Sequence, residues 1–64
     1  MKSFVIRITF SFADGGVLSS EICIQAKNRK IAVGNGINSF YRTLEDFYNE
    51  IPDGSLEIDY CYEL

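Results

Sequence analysis

Nine carboxylates and two thiols make up most of the reactive chemistry in this chain, and no histidine accompanies them. Histidine is the commonest general base and the commonest transition-metal ligand, so Ser-His-Asp triads and cysteine–histidine pairs are excluded. A carboxylate pair could still do acid–base work, but it needs a pocket of about 300 Å³ or more, and a short chain has little volume to enclose one. The expectation is a protein that is not an enzyme and carries no cofactor or metal. Cys23 and Cys61 are too far apart in sequence for a metal knuckle or a redox C-x-x-C. Free thiols are the default in a reducing compartment. Gly34-x-Gly36-x-x-Ser39 imitates part of a dinucleotide fingerprint but lacks its third glycine, and reads as a turn or cap. Asp14-Gly15-Gly16 lacks the carboxylate spacing of a calcium loop and reads as a hairpin turn.

Charge placement is more informative than any motif. Residues 1–42 hold all six basic residues and two acids, Asp14 and Glu21. Residues 43–64 hold seven acids and no base: Glu45, Asp46, Glu50, Asp53, Glu57, Asp59 and Glu63. The net charge of −3 hides this division. One reading is a solvated acidic surface that keeps a small protein soluble. The sharper reading is a surface that competes with nucleic-acid phosphates for a basic groove, gaining on-rate from complementary potentials and losing it in salt. Direct nucleic-acid binding is not expected, because Lys27, Arg29 and Lys30 form only a small basic cluster and the net sign is wrong.

The elements that must position these groups follow from periodicity. Residues 3–12 alternate, with Phe4, Ile6, Ile8, Phe10 and Phe12 on one face of a strand. Ala13-Asp14-Gly15-Gly16 supplies a tight turn. Residues 17–26 return with Leu18, Ile22, Ile24 and Ala26 on the same face, opposite Val17, Ser19, Glu21, Cys23 and Gln25. Residues 27–36 fit either a short helix or a short extra strand, ended by Gly34-Asn35-Gly36. Residues 37–51 carry a helical stripe of Ile37, Phe40, Tyr41, Leu44, Phe47, Tyr48 and Ile51, with Asn35, Asn38 or Ser39 as caps. Residues 55–64 alternate again, with Leu56, Ile58, Tyr60, Tyr62 and Leu64 inward and Glu57, Asp59, Cys61 and Glu63 outward.

The expected fold is one α+β domain spanning residues 1–64, ββαβ. A three-stranded antiparallel sheet in order 2-1-3 carries the main helix on one face. In that order Cys23 and Cys61 flank the first strand at about twice the strand spacing of roughly 4.8 Å, too far for a disulfide. No apolar run approaches the roughly 20 residues that span a membrane. Arg7 interrupts the only candidate signal segment, so a cytoplasmic location is expected.

A very short, acidic, histidine-free chain of this layout resembles the small anti-CRISPR proteins encoded by bacteriophages. The resemblance runs from the hairpin Phe4–Ala26 through the helix Ile37–Ile51 to the acidic end at residues 57–63. It rests on overall profile, since that group shares no motif, and carries no residue roles by position. It implies action in the bacterial host cytoplasm on a Cas protein, of which a type I Cascade subunit is one candidate; separately, a monomer is expected in preference to a dimer. The implied action is to block access to target DNA, with the seven acids above as phosphate mimics. The rival expectation is a small regulatory, adaptor or antitoxin-like domain that uses the outer sheet face.

Overall fold

A computed structural model describes residues 1–64. It contains β1 (Lys2–Phe12), β2 (Val17–Ala26), α1 (Arg29–Tyr48) and β3 (Gly54–Glu63). The sheet is antiparallel throughout, in the order β2-β1-β3, and α1 packs on one face, an α+β fold as expected. The alternating apolar residues of β1 explain the arrangement. Phe4, Ile6, Ile8 and Phe10 are fully buried beneath the helix, each contributing about 1.5–3 kcal/mol of apolar transfer. The hairpin turn closes through hydrogen bonds from Phe12 N to Gly16 O (2.7 Å) and Gly15 N to Phe12 O (3.0 Å), with Gly15 at φ 102°.

The helix begins at Arg29, not at Ile37, and residues 27–36 form neither a separate helix nor a strand. Asn28, not Asn35, Asn38 or Ser39, is the cap, and its Oδ1 accepts a hydrogen bond from Ile31 N at 2.9 Å. Gly34-Asn35-Gly36 runs through the helix without ending it. Glycine weakens a helix by about 1 kcal/mol relative to alanine, but here packing compensates. Ala32, Gly36, Phe40 and Leu44 recur every fourth residue and form the buried stripe. At Gly36 a Cβ would come within 3.0 Å of Ile6 Cδ1, so the missing side chain lets the helix lie close on the sheet. The helix stops at Tyr48, earlier than Ile51, because Asn49 turns into the left-handed region at φ 64°. Ile51 is consequently exposed.

The third strand departs most from simple alternation. Phe4↔Glu63 to Arg7↔Tyr60 form one register with β1, and Ile8↔Ile58 to Phe12↔Gly54 another. Asp59 is the extra residue between them, a β-bulge. Since side chains alternate with period two, one inserted residue exchanges the faces of everything beyond it. Leu56 and Ile58 face inward as expected. Tyr60 and Tyr62 lie opposite Arg7 and Val5 on the outer face, contrary to expectation, whereas Cys61 and Glu63 lie opposite Ile6 and Phe4 on the helix side. Leu64 is likewise exposed. Cys23 pairs with Val5 on the outer face, so the two free cysteines occupy opposite sides of the sheet.

Two glycines give opposite expectations. Gly34 is exposed, and a Cβ there would meet nothing within 4 Å. Gly34→Ala is expected to stabilise the fold by about 0.5–1 kcal/mol in urea denaturation, by removing the glycine penalty. At Gly54 a Cβ would collide with the carbonyl oxygen of Ser11 and lie 2.7 Å from Phe10 Cε2. Gly54→Ala is expected to destabilise by about 1–3 kcal/mol in the same measurement.

Candidate interaction surfaces

Only one face of the sheet is covered by the helix. The other presents Val5, Arg7 and Thr9 of β1 between Cys23, Glu21 and Ser19 of β2 and Tyr62, Tyr60 and Glu57 of β3. A polar network crosses all three strands. The Tyr60 hydroxyl donates to Glu21 Oε2, reaching over β1 to do so. The Thr9 hydroxyl donates to Asp59 Oδ2 and lies 2.9 Å from the Ser19 hydroxyl. Arg7 Nε stands 3.8 Å from the same Asp59 oxygen. The bulge makes this possible, because it places Asp59 and Tyr60 on the same side of the sheet. Tyr60 and Tyr62 are partly exposed, at 38% and 47%, with ring centroids 5.6 Å apart.

The hydrogen bond from Tyr60 to Glu21 raises the phenol's pKa above its usual 10.0. Desolvation and the Glu21 charge add to the rise, and Arg7 opposes it. Ionising the phenol would remove the donor and set two negative groups together.

The seven acids are not gathered on one face. Glu57 and Asp59 lie on the outer sheet face, whereas Glu45 and Asp46 ride on the helix at the other side. Asp59 is engaged by Arg7 and Thr9, and Glu63 lies 3.8 Å from Lys2 Nζ. The remaining five, Glu45, Asp46, Glu50, Asp53 and Glu57, are exposed and make no ion pair. What they share is an end of the molecule. Ala13 N bonds Asp53 O at 2.9 Å, and Phe12 packs against Tyr48 with centroids 5.8 Å apart. The hairpin turn, the helix C-terminus and the start of β3 therefore converge, and Glu57 stands about 10 Å along β3 from that start. Asp14 joins them, its Oδ1 accepting from Gly16 N at 3.0 Å. Sequence reasoning left Asp14 out because it lies far from the others along the chain.

The opposite end is basic. Lys2 pairs with Ala26 across the strands, and Lys27, Arg29 and Lys30 follow directly, so four of the six basic residues collect there. The molecule is 37 Å long, and most of its charges are separated along that axis, with Glu63 beside Lys2 and Arg42 one turn before Glu45 and Asp46 as exceptions. The helix reinforces the separation. Its first turn holds Arg29 and Lys30 and no acid, while Glu45 and Asp46 stand in its last turn with no base. Each such placement sets a charge beside the helix pole of the same sign and costs about 0.3–1 kcal/mol.

Beside the acidic end, Leu18, Thr43, Leu44, Phe47 and Tyr48 line a cleft of about 220 Å³. Phe47 is 77% exposed at its rim. The lining holds no carboxylate, amine or thiol. No three His, Cys, Asp or Glu side chains come together in a way that could hold a metal ion, and no helix is long and apolar enough to cross a membrane. Compared with protein-family models, curated proteins and solved structures, the chain matches none.

The raised Tyr60 pKa links this network to stability in alkali. The neutral phenol is favoured in the fold, so the stabilisation is complete below pH 10.0 and is lost as pH rises through the higher folded value. Glu21→Gln is expected to bring Tyr60 ionisation back toward the usual range and to reduce the alkaline loss of stability. Ultraviolet titration of phenolate absorbance, compared with Tyr60→Phe to identify the signal, measures the first effect. Thermal melts from neutral pH to above 10 measure the second, and an unchanged titration in Glu21→Gln would refute the coupling.

Proposed function

We propose that this chain is a non-catalytic protein inhibitor whose acidic end occupies a basic, nucleic-acid-binding surface on another protein. The observation that carries the reading is the set of five exposed carboxylates without ion pairs, Glu45, Asp46, Glu50, Asp53 and Glu57, at one pole of an elongated molecule. Carboxylates presented in this way compete with phosphates for the same Lys and Arg groups, and their field favours encounter with a positive surface. Asp59 and Glu63 contribute less, because Arg7 and Lys2 already offset them. In keeping with the anti-CRISPR resemblance, the proposed partner is a Cas effector, with a type I Cascade subunit as one candidate, and the outcome is loss of target-DNA access. The proposed setting is the bacterial cytoplasm.

A second reading is favoured by one specific observation. The bulge turns Tyr60 and Tyr62 out onto the uncovered sheet face, and tyrosine is enriched among residues that dominate binding energy. A small adaptor or antitoxin-like domain would use that face, with Val5 and Cys23 beside the rings.

Competition binding separates the two. A purified Cascade complex and labelled target DNA are titrated with this protein at low and high salt. On the first reading inhibition weakens steeply with salt. Combined Glu45→Gln, Asp46→Asn, Glu50→Gln, Asp53→Asn and Glu57→Gln substitution weakens it by roughly fivefold or more, given about 0.2–1 kcal/mol per charge contact. Tyr62→Ala leaves it unchanged. Loss of inhibition with Tyr62→Ala, and none with the amides, would transfer the function to the sheet face.

A further inference from the structure

The two edges of the sheet are built differently. Strand β3 carries Glu57, Asp59 and Glu63 and is interrupted by the bulge at Asp59. Charges and bulges of this kind prevent an edge from pairing with another strand. Strand β2 has neither protection. Its ten residues keep one unbroken register with β1 from Lys2↔Ala26 to Ser11↔Val17, and it contains no proline and a single charge, Glu21. Hydrogen bonding fixes which backbone groups it exposes. Phe12 N bonds Gly16 O, so Phe12 and Gly16 are a bonded pair, and bonded pairs recur at every second residue of an antiparallel ladder. The N–H and C=O groups of Val17, Ser19, Glu21, Cys23 and Gln25 therefore point away from β1, along an open edge.

We infer that this edge pairs with a second copy of the chain, β2 against β2 and antiparallel, to make one continuous sheet across two molecules. Charge placement selects this occupant. Antiparallel pairing about a two-fold axis sets each acidic pole beside the basic pole of the other copy. On the helix side, the first turn of one molecule's helix, with Arg29 and Lys30, comes to the same end as the last turn of the other's, with Glu45 and Asp46. The lopsided charge that would hinder a parallel pair stabilises this one, and a two-fold contact makes every favourable pairing twice. The register follows too. An axis through Glu21 would set two carboxylates opposite each other. An axis through Ile22 pairs Glu21 with Cys23 and Ser19 with Gln25, both through exposed backbone groups, and brings Val17 opposite Lys27. Ile22 and Ile24 face the helix side yet are only half-buried at this edge, and the pairing covers them. Asp53 and Glu57 lie on the β3 side, away from the contact, so the dimer keeps acidic groups free. A dimer of this kind stands against the monomer expected from the sequence.

Sedimentation equilibrium of the intact chain over a wide concentration range tests the inference. The expected result is a reversible dimer whose dissociation constant rises with salt. Cys23→Pro removes an outward N–H while sparing the β1 ladder, a position where an edge strand tolerates proline, and is expected to give a folded monomer. Arg29→Glu and Asp46→Lys are each expected to weaken the dimer by roughly threefold to tenfold, and the two together to restore it. Circular dichroism checks folding, and if Cys23→Pro does not fold, the charge pair decides alone. A chain that stays monomeric throughout, a dimer unaffected by folded Cys23→Pro, or a double charge variant no better than the single ones would overturn the inference. The dimer is read by sedimentation and the proposed inhibition by DNA competition, so either can fail without the other; only Glu45 and Asp46 bear on both.

Discussion

The constraint on which the structure depends is that β1 has no free side on its inner face. It is hydrogen-bonded to a strand on either flank and lies under the helix, so Phe4, Ile6, Ile8 and Phe10 are sealed from every direction. A domain this small buries only about 60% of the surface its unfolded chain exposes, and half of its buried core residues lie on this one strand. The helix can seal it because Gly36 lets the backbone approach Ile6 and Ile22. Phe40 and Tyr41 then reach Phe10 with ring centroids 6.3 and 6.4 Å apart. Placement of the acidic and basic poles follows, since the ends of β1 fix where the hairpin turn and the helix termini lie.

Much of this was legible in the sequence. Alternation over residues 3–12 and 17–26, with a glycine turn between them, specified the hairpin, and the third alternating segment supplied the strand that completes the sheet beside β1. The helix start was misjudged because local propensity at Gly34 and Gly36 argues for a break, while the compensating burial depends on Ile6 and Ile22 thirty and fourteen positions earlier. A cap at Asn28 was the available local signal, since its side chain lies three residues before the amide it satisfies.

The bulge was invisible for a different reason. Residues 55–64 alternate without interruption, and perfect alternation describes a strand paired in one register. Nothing in the segment marks Asp59 as the extra residue. It is favoured once Arg7 and Thr9 are known to lie opposite, offering it a guanidinium and a hydroxyl on the outer face. The site was therefore only partly legible. The sequence showed that acids collect in the last third of the chain, but their division between helix side and sheet side depends on which face each strand position takes. The bulge sends Glu63 and Asp59 to opposite sides and to separate basic partners.

The charge separation along the long axis has a consequence for motion. A body with opposite poles experiences a torque in an external field, even where its net charge is small. As a single copy of this molecule nears a positive surface it turns before it touches, with the hairpin end leading and the lysine-rich end trailing. Rotational search, usually a slow component of productive encounter, is narrowed at a distance of about a Debye length, roughly 8 Å in physiological salt. The helix dipole adds to that torque because its own poles point the same way as the side chains.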